Sequence, residues 1–152
     1  MYEIGTAVIC RSGGVWHVSV AARDTITLTA HETGEIKTVP ADSDELVRRV
    51  VSKSEILDVI ARAGFTPTLQ APNDKLRNEL YREALAKFDE LEWLRVVKTV
   101  YLRAQERRLT PAELAFAETA KSYLHGEISV LLAIPISEVE SCIAAAVAKD
   151  TW

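Results

Sequence analysis

Few cysteines, no long apolar run and no leader-like segment limit what this sequence can be. Its 152 residues include only two cysteines, and Cys10 and Cys142 lie far apart with no CxxC or Cys/His spacing. We therefore expect two buried apolar thiols, and neither a disulfide nor a metal site. No apolar stretch approaches the roughly 18 residues of a membrane span, and no basic segment followed by an apolar one begins the chain. These absences predict a cytoplasmic protein that does not associate with a membrane.

The motifs of common enzyme families are also missing. The chain contains no GxSxG nucleophile motif, no Walker loop and no GxGxxG. Its one glycine pair lies in "RSGGVW", which predicts a tight turn because two glycines are too few to cradle a phosphate. The three histidines have no partners at metal-ligand spacing: His17, His31 and His125. We therefore predict that the protein is not an enzyme and binds no cofactor or metal.

Composition and charge favour a globular protein with an uneven charge distribution. Hydrophobic residues make up 48% and charged residues 26% of the chain, as in ordinary soluble domains. The net charge of −4 argues against bulk, sequence-independent binding of nucleic acid. Positive charge is nevertheless concentrated, because residues 75–108 hold nine Lys/Arg and six Asp/Glu whereas residues 109–152 hold two and six. The sequence is therefore compatible with a local basic surface formed by residues 75–108.

The first forty residues have the period-two pattern of β-strands. Four segments, "TAVIC", "VWHVSVAA", "TITLTA" and "EIKTVP", are separated by turn-forming residues. In "TITLTA" the aliphatic residues point to one side and the threonines to the other, so one face packs while the other meets water or a partner. Trp16 shares its strand face with Val18 and Val20, which places all three in the sheet core. We predict a small, bent antiparallel sheet or partial barrel of four strands.

After Ser52 the hydrophobic period changes from two to about 3.6 residues. Ser52 and Glu55 form a capping box, in which side chains satisfy the unpaired N–H groups of a helix start, so a short helix begins near Lys53. Four longer helices follow, with predicted starts at these residues: Asn73, Leu91, Thr110 and Ser137.

This order of elements predicts an α+β fold in two parts. Residues 1–50 form a β domain, residues 51–72 a short helix and linker, and residues 73–152 an all-α helical bundle domain with Trp93 in its core. The boundary falls at "LVRRVVSKSEIL", where two arginines interrupt an apolar stretch directly before a helix start. Those arginines therefore lie where the two parts meet.

The third helix carries a basic stripe. Because successive residues of an α-helix turn by about 100°, Arg95, Lys98 and Arg103 lie on the side opposite to its apolar residues. Two interpretations remain open for this stripe: a solvated helix face, or a surface that contacts DNA phosphates. Arg107 and Arg108 extend the stripe, although cations at this end of a helix also interact favourably with its dipole.

Three segments in order resemble the CarD/CdnL family of bacterial transcription regulators, whose N-terminal module is shared with the polymerase-interacting domain of the transcription-repair coupling factor. "MYEIGTAVIC" with the "GGV" that follows is similar to the family's opening strand and turn. "TVPADSDELVRRVVSKSEI" resembles its strand-to-linker passage. The most specific segment, "VVKTVYLRAQERRLTPAELAFAETAKSYLHGEISVLLAIPISEVESCI", is similar to its helical signature. The resemblance covers nearly the whole chain.

The resemblance implies a Tudor-like β domain that binds the β subunit of RNA polymerase by adding its edge to a polymerase strand. The helical domain would contact promoter DNA just upstream of the melted region and modulate the stability of the open complex. Strand pairing would involve the exposed edge and its flank: Arg23, Lys37 and Thr38. Backbone phosphates would be contacted by five cations of the second and third helices: Arg77, Arg82, Arg95, Lys98 and Arg103. The resemblance implies no membrane and no small-molecule ligand.

Two departures from the family pattern affect this expectation. Asn73 and Asp74 stand where better-known members carry a tryptophan that wedges into the minor groove at the edge of the bubble. Cys10 and Arg11 replace the usual aromatic residue and the small residue or proline that follows it. The missing wedge bears on promoter contact rather than on polymerase binding. One alternative therefore stays open: a protein-interaction module that docks on polymerase or another partner without touching DNA.

Overall fold

The computed structural model describes the backbone of residues 2–151 and the side chains of residues 2–145. A five-stranded antiparallel sheet comes first and five helices follow, which confirms the α+β fold. The strands are β1 Ala7–Cys10, β2 Val15–Ala21, β3 Thr25–Ala30, β4 Ile36–Pro40 and β5 Leu46–Arg49. The helices are α1 Lys53–Ala61, α2 Asp74–Ala86, α3 Glu90–Ala104, α4 Pro111–Leu132 and α5 Ile136–Thr151.

The strands follow the order β4-β3-β2-β1-β5, and every neighbouring pair is antiparallel. This is one strand more than the four that the sequence predicted. The additional strand, β5, is the "LVRR" of the junction, and it pairs with β1 before the helix cap at Ser52. The segment has no helical period of its own, so pairing with β1 supplies partners for its backbone groups. β4 and β5 are consequently the two edges of the sheet.

A bulge in β2 moves one residue out of the predicted core. The pairing of β2 with β3 shifts register between Val18 and Val20. Because a bulge disturbs the alternation of side chains beyond it, Val20 is 52% exposed, whereas Trp16 and Val18 are buried as predicted. The prediction that Val20 shares their core position was therefore wrong.

Side-chain caps start three helices where the sequence predicted them. Ser52, Asn73 and Thr110 each accept a hydrogen bond from a backbone N–H of the first turn, at 2.9 to 3.2 Å. The predicted helix start at Ser137 was wrong, because α5 already begins at Ile136 and places this serine inside its first turn. The earlier start is seen in the first turn of α5, where the Glu138 N–H donates a hydrogen bond to the Pro135 carbonyl at 3.0 Å.

Two clusters of buried apolar side chains form the core. On one face of the sheet, Ala7, Ile9 and Val15 pack with helical residues that include Trp93 and Leu124. Trp93 is fully buried, as predicted. The second cluster belongs to the strands alone and consists of Val8, Cys10, Trp16, Val18, Ile26 and Leu28. The β part and the helical part of the chain therefore share one core, and the strands have a second, smaller one of their own.

α4 approaches the sheet closely enough to require a glycine. A Cβ atom at Gly126 would lie 2.8 Å from Cγ2 of Val15 in β2. One helical turn earlier, the Tyr123 hydroxyl donates a hydrogen bond to the Arg11 carbonyl at 2.8 Å. These contacts fix the sheet against α4, so the free edge at β4 is held by a rigid scaffold.

Within residues 2–151 no single helix is both long and apolar enough to cross a membrane, and α4 and α5 pass that test only together, across a bend of 100°. The described part of the chain also contains no group of three or more His, Cys, Asp or Glu side chains that could hold a metal ion.

Candidate functional site

β4 leaves one side of its backbone unpaired at the edge of the sheet. One backbone hydrogen bond lies at each end of its pairing with β3. The Ala30 N–H donates to the Glu35 carbonyl at 2.7 Å, and the Ala41 N–H donates to the Asp24 carbonyl at 2.9 Å. Since bonded pairs alternate along an antiparallel ladder, the backbone groups of Lys37 and Val39 face β3, whereas those of Ile36 and Thr38 point outward. The backbone of Pro40 also points outward, but a proline has no N–H group that could be left unpaired. No strand among residues 2–151 pairs with this outer side.

The side chains beside this edge form a flat hydroxyl-rich face with one aliphatic projection. Thr38 is exposed, and its hydroxyl lies 3.0 Å from that of Thr27 in β3. The Thr29 hydroxyl donates a hydrogen bond to Ser19 in β2 at 3.2 Å. Ile36 is 68% exposed, which the sequence pattern did not indicate because alternation alone cannot tell an edge strand from a central one. A partner strand would meet backbone donors and acceptors, hydroxyls and one apolar side chain here.

The three residues predicted to bind polymerase have different environments. Thr38 lies on the free edge, and Arg23 is exposed in the turn between β2 and β3. Lys37 is turned to the opposite face of β4, where its Nζ lies 3.3 Å from a Glu45 carboxylate oxygen and 4.1 Å from the centroid of the Trp16 ring. Lys37 is therefore half-buried and ion-paired, because the same alternation that exposes Thr38 turns Lys37 to the other face of the strand. Its role in polymerase binding stays a prediction.

The groups around Lys37 are structural rather than reactive. Burial alone would raise the pKa of Glu45, but hydrogen bonds from Ser12 and Lys37 hold it below its usual value. Burial raises the pKa of the Cys10 thiol to about 11, against an opposing effect of the Lys37 charge. Cys10 and the half-buried Cys142 are both free thiols. A buried thiol with a raised pKa carries little thiolate at neutral pH and is unreactive.

Lys98, at the centre of the predicted basic stripe, is buried. Only 5% of the residue is exposed, and its Nζ donates hydrogen bonds to the carbonyls of Gly64 at 2.9 Å and Thr66 at 2.6 Å. Burial lowers the pKa of its ammonium group. The prediction that Lys98 faces solvent or DNA was wrong, because the irregular linker between α1 and α2 lies against this side of α3 and its carbonyls need donors.

Arg95 and Arg103 are also bonded within the fold. The Nε of Arg95 donates to the Pro67 carbonyl in the same linker at 3.1 Å. Arg103 forms two hydrogen bonds with the carboxylate of Glu113 in α4, at 2.7 and 3.0 Å. Glu113 is 2% exposed and accepts a third bond from the Tyr81 hydroxyl of α2 at 2.9 Å. The stripe thus ties α3 to the linker, α2 and α4.

The Arg103–Glu113 bond shifts the pKa values of both partners. The hydrogen bond to Glu113 raises the pKa of Arg103 above its ordinary value. Burial alone would raise the pKa of Glu113, but hydrogen bonds from Arg103 and Tyr81 outweigh burial and hold the pKa of this carboxyl below its usual value. Both groups are therefore charged at neutral pH and neutralise each other, which leaves little net charge to attract a phosphate.

The two predicted DNA-binding residues of α2 differ in exposure. The Arg77 side chain is 11% exposed and donates to an Asp74 carboxylate oxygen at 2.7 Å and to the Ala71 carbonyl at 3.0 Å. Arg82 is exposed, and its guanidinium carbon lies 5.5 Å from the centroid of the Phe116 ring. Of the five cations predicted to contact DNA, Arg82 is therefore the one whose side chain lies on an open surface.

Arg48 is the first of the two arginines that interrupt the junction between the two parts. Its guanidinium donates to both carboxylate oxygens of Glu127 in α4, at 2.9 and 3.3 Å, and to the Phe88 carbonyl at 2.9 Å. Glu127 is fully buried and also accepts a hydrogen bond from the Val51 N–H at 2.7 Å. Arg48 therefore fastens β5 to α4. No local pattern indicates this pair, because its members lie 79 positions apart.

Comparison with protein-family models gave no match for this sequence, and comparison with curated proteins gave no similar one. The resemblance to the CarD/CdnL family therefore rests on the quoted segments alone.

Proposed function

We propose that this protein is a non-enzymatic regulator of transcription that binds the β subunit of RNA polymerase by pairing β4 with a polymerase strand. The observation that carries the proposal is the outward-pointing backbone of Ile36 and Thr38 at an open sheet edge. Unpaired N–H and C=O groups in a row are what strand addition requires. The identity of the partner comes from the resemblance to the CarD/CdnL family. The proposal places the protein in the cytoplasm, where bacterial polymerase works.

The composition of β4 fits an edge that docks a partner strand better than an edge protected against pairing. Proteins usually protect sheet edges against pairing with charged side chains or prolines directed at the edge. Pro40 closes the end of β4, but Lys37 is occupied on the opposite face by Glu45 and Trp16. At the start of the strand, Ile36 presents an exposed aliphatic side chain. The edge is therefore open over a few residues, which suits a short partner strand.

Two substitutions of Thr38 separate strand pairing from side-chain contact. Thr38→Pro removes the outward N–H, while the hydrogen bonds between β4 and β3 come from the neighbouring residues and remain. Thr38→Val is the matched control, because it keeps the N–H and removes only the hydroxyl beside Thr27. We expect Thr38→Pro to weaken binding to purified polymerase about tenfold, since one backbone hydrogen bond is lost and a ring enters the interface. Thr38→Val should bind within about twofold of the native protein.

Thermal unfolding of both variants controls for folding. A Thr38→Pro protein that melts like Thr38→Val and still binds polymerase with native affinity would show that β4 is not the docking strand. Loss of binding in both variants would assign the interaction to the hydroxyl face and not to the backbone.

Promoter contact, the second part of the implied function, fits α2 better than α3. Lys75 and Arg82 are both exposed and lie seven residues apart, which is close to two helical turns and places them on one face. Arg95, by contrast, is bonded to the linker. We expect Arg82→Ala to lower the slope of log affinity against log salt by about one unit for a promoter-sized duplex, and Arg95→Ala to leave it unchanged. A native protein that shows no salt-dependent duplex binding would instead support the protein-interaction module without DNA contact.

A further inference from the structure

Two histidines of the β part are hydrogen-bonded to each other and to the end of α4. The Nε2 of His17 in β2 lies 2.8 Å from the Nδ1 of His31, which follows β3 directly. The Nε2 of His31 lies 2.9 Å from the hydroxyl oxygen of Ser129 in the last turn of α4. That hydroxyl lies 2.6 Å from the carbonyl oxygen of Ile134, in the turn between α4 and α5. A continuous chain of three hydrogen bonds therefore joins the sheet to this turn.

The proton positions in this chain follow from its donors and acceptors. The Ser129 hydroxyl donates its single proton to the Ile134 carbonyl, because a carbonyl can only accept. The Nε2 of His31 therefore carries the proton of the bond to Ser129. Since a neutral imidazole has one N–H, the Nδ1 of His31 has a lone pair and accepts from the Nε2–H of His17. With both imidazoles neutral, all three bonds are made.

The pair of imidazoles can take up one additional proton but not two. When one ring is charged, its N–H donates to the lone pair of the other ring, so the bond between them is kept. When both rings are charged, His17 and His31 each direct an N–H at the other, and two donors 2.8 Å apart cannot form a hydrogen bond. The two like charges also repel each other. The second proton therefore breaks the chain.

The other groups around the pair are almost all uncharged. An open cavity of about 580 Å³ lies beside it, and among the described residues that line this cavity Glu32 is the one further group that ionises. Glu32 is exposed, so solvent and salt screen its attraction for a charged imidazole. The neighbours of His17 across the sheet are Ala7 in β1 and Thr29 in β3. The residues that α4, α5 and the turn between them contribute to the cavity are also uncharged: Ser129, Val130, Ala133, Ile134, Pro135 and Ile136.

These surroundings oppose double protonation in the folded protein. Burial lowers the pKa of His17 below its usual value, and the charge of a protonated His31 acts in the same direction. Both rings are therefore charged together only when the pH has fallen below the usual range of a histidine.

We propose that the His17–His31 pair is an acid-operated latch, which ties the sheet to the turn between α4 and α5 and opens when both imidazoles are charged. His31 is the ring that moves, because it lies in the turn beyond β3 and beside the open cavity, whereas His17 belongs to a strand that is paired on both sides. Its movement breaks the bond to Ser129 and frees the turn from the sheet. This device goes beyond polymerase docking and does not depend on it.

NMR of the full chain between about pH 7.5 and about pH 4.5 tests the latch. The ring ¹⁵N shifts give the protonation state of each histidine. Amide exchange of Ile134 reports on the turn, since its N–H donates to the Ser129 carbonyl at 3.2 Å. We expect its protection factor, corrected for the intrinsic effect of pH, to fall about tenfold as the second imidazole becomes charged. Undiminished protection with both rings charged, or a pair that takes up no second proton by about pH 4.5, would overturn the proposal.

His17→Gln is the matched control. A glutamine side chain donates from its nitrogen or, after rotation, accepts with its oxygen, so it pairs with His31 in both charge states. The variant should therefore keep the Ile134 protection factor within about twofold over the whole pH range. His125 is present in both proteins, so its own protonation cancels from the comparison. A tenfold fall in His17→Gln as well would assign the loosening to another group and contradict the latch. If His17→Gln does not fold, the titration of the native chain still decides.

Discussion

The carbonyl groups of the linker between α1 and α2 determine what the charged residues of α3 do. This linker has no regular secondary structure to pair its backbone, and α3 supplies the donors. Lys98 bonds the carbonyls of Gly64 and Thr66, and Arg95 bonds that of Pro67. In the opposite sense, the Thr99 hydroxyl oxygen accepts from the Leu69 N–H at 2.9 Å. These cations therefore stabilise the fold and are not free to meet a phosphate.

This role predicts a large stability effect for Lys98. Lys98→Met keeps a side chain of similar length but leaves two carbonyls without donors, and we expect it to lower the free energy of unfolding by about 2 kcal/mol. Arg82→Ala, on an open surface, should change the free energy by less than about 0.5 kcal/mol. Urea denaturation of the two variants gives both values. Equal, small effects would mean that Lys98 does not hold the linker.

At the scale of residues, the sequence predicts helix caps, which depend on nearby positions in the chain. It does not predict side-chain exposure, which depends on the distant segments that pack over a residue. The caps at Ser52 and Thr110 follow from residues three positions apart, and both are formed. The helical period also places Lys98 opposite the apolar residues of α3. The helical period does not say which distant segment packs against that side of α3, so the burial of Lys98 could not be predicted.

At the scale of elements, α4 is joined to the sheet by a buried ion pair and a close backbone approach. Arg48→Met would leave the buried carboxylate of Glu127 without its guanidinium, and we expect a loss of about 3 kcal/mol in the free energy of unfolding. Replacing both members, as in Arg48→Met with Glu127→Leu, removes the uncompensated charge and should recover part of that loss. A double-mutant cycle in urea measures the coupling. A double variant whose loss equals the sum of the two single losses would show that the pair is not coupled.

Gly126 tests the close approach of α4 to β2. Gly126→Ala should lower stability by about 2 kcal/mol, because its Cβ would be forced against Val15. A solvent-exposed Gly→Ala change in a helix would instead be favourable by up to about 1 kcal/mol. Adding Val15→Ala to Gly126→Ala makes room for the new methyl group, so the pair should cost less than the two separate changes added together. Thermal unfolding distinguishes these results, and a stabilised Gly126→Ala protein would contradict the contact.

The strands show which features of the sheet hydrophobic alternation predicts and which it does not. Alternation in "TITLTA" correctly predicted which face of β3 carries the hydroxyls. It did not predict β5, whose pairing with β1 depends on a segment more than thirty positions away. Nor did it predict the bulge that turns Val20 outward, since a single extra residue leaves the composition of a strand unchanged.

At the scale of the whole molecule, burial of His125 links stability to pH. Its pKa is about 4 in the folded protein against 6.5 for an ordinary histidine, so the unfolded chain binds the proton first as pH falls. Stability contributed by this group is therefore complete above pH 6.5 and is lost toward pH 4, by about 3 kcal/mol. Urea denaturation of the native protein and of His125→Leu across this range isolates the effect as their difference. Parallel profiles would contradict it.

The two halves of the chain were predicted in the right order and with the right class of structure. The change of hydrophobic period near Ser52 is visible in the sequence, and it marks the boundary between strands and helices. The shared core was not predictable, because contacts such as Val15 with Gly126 join positions that no periodic pattern relates. The sheet edge therefore belongs to one rigid unit, and its position is held by α4.

Amide hydrogen exchange tests the central proposal most directly, because it reports on the backbone groups that would pair. In the free protein the N–H groups of Ile36 and Thr38 point to solvent, so they should exchange fast, whereas those of Lys37 and Val39 face β3 and should exchange slowly. On addition of the polymerase β subunit, we expect the Ile36 and Thr38 amides to become protected together. Protection confined to the helices, with Ile36 and Thr38 still exchanging fast in the complex, would contradict docking through β4.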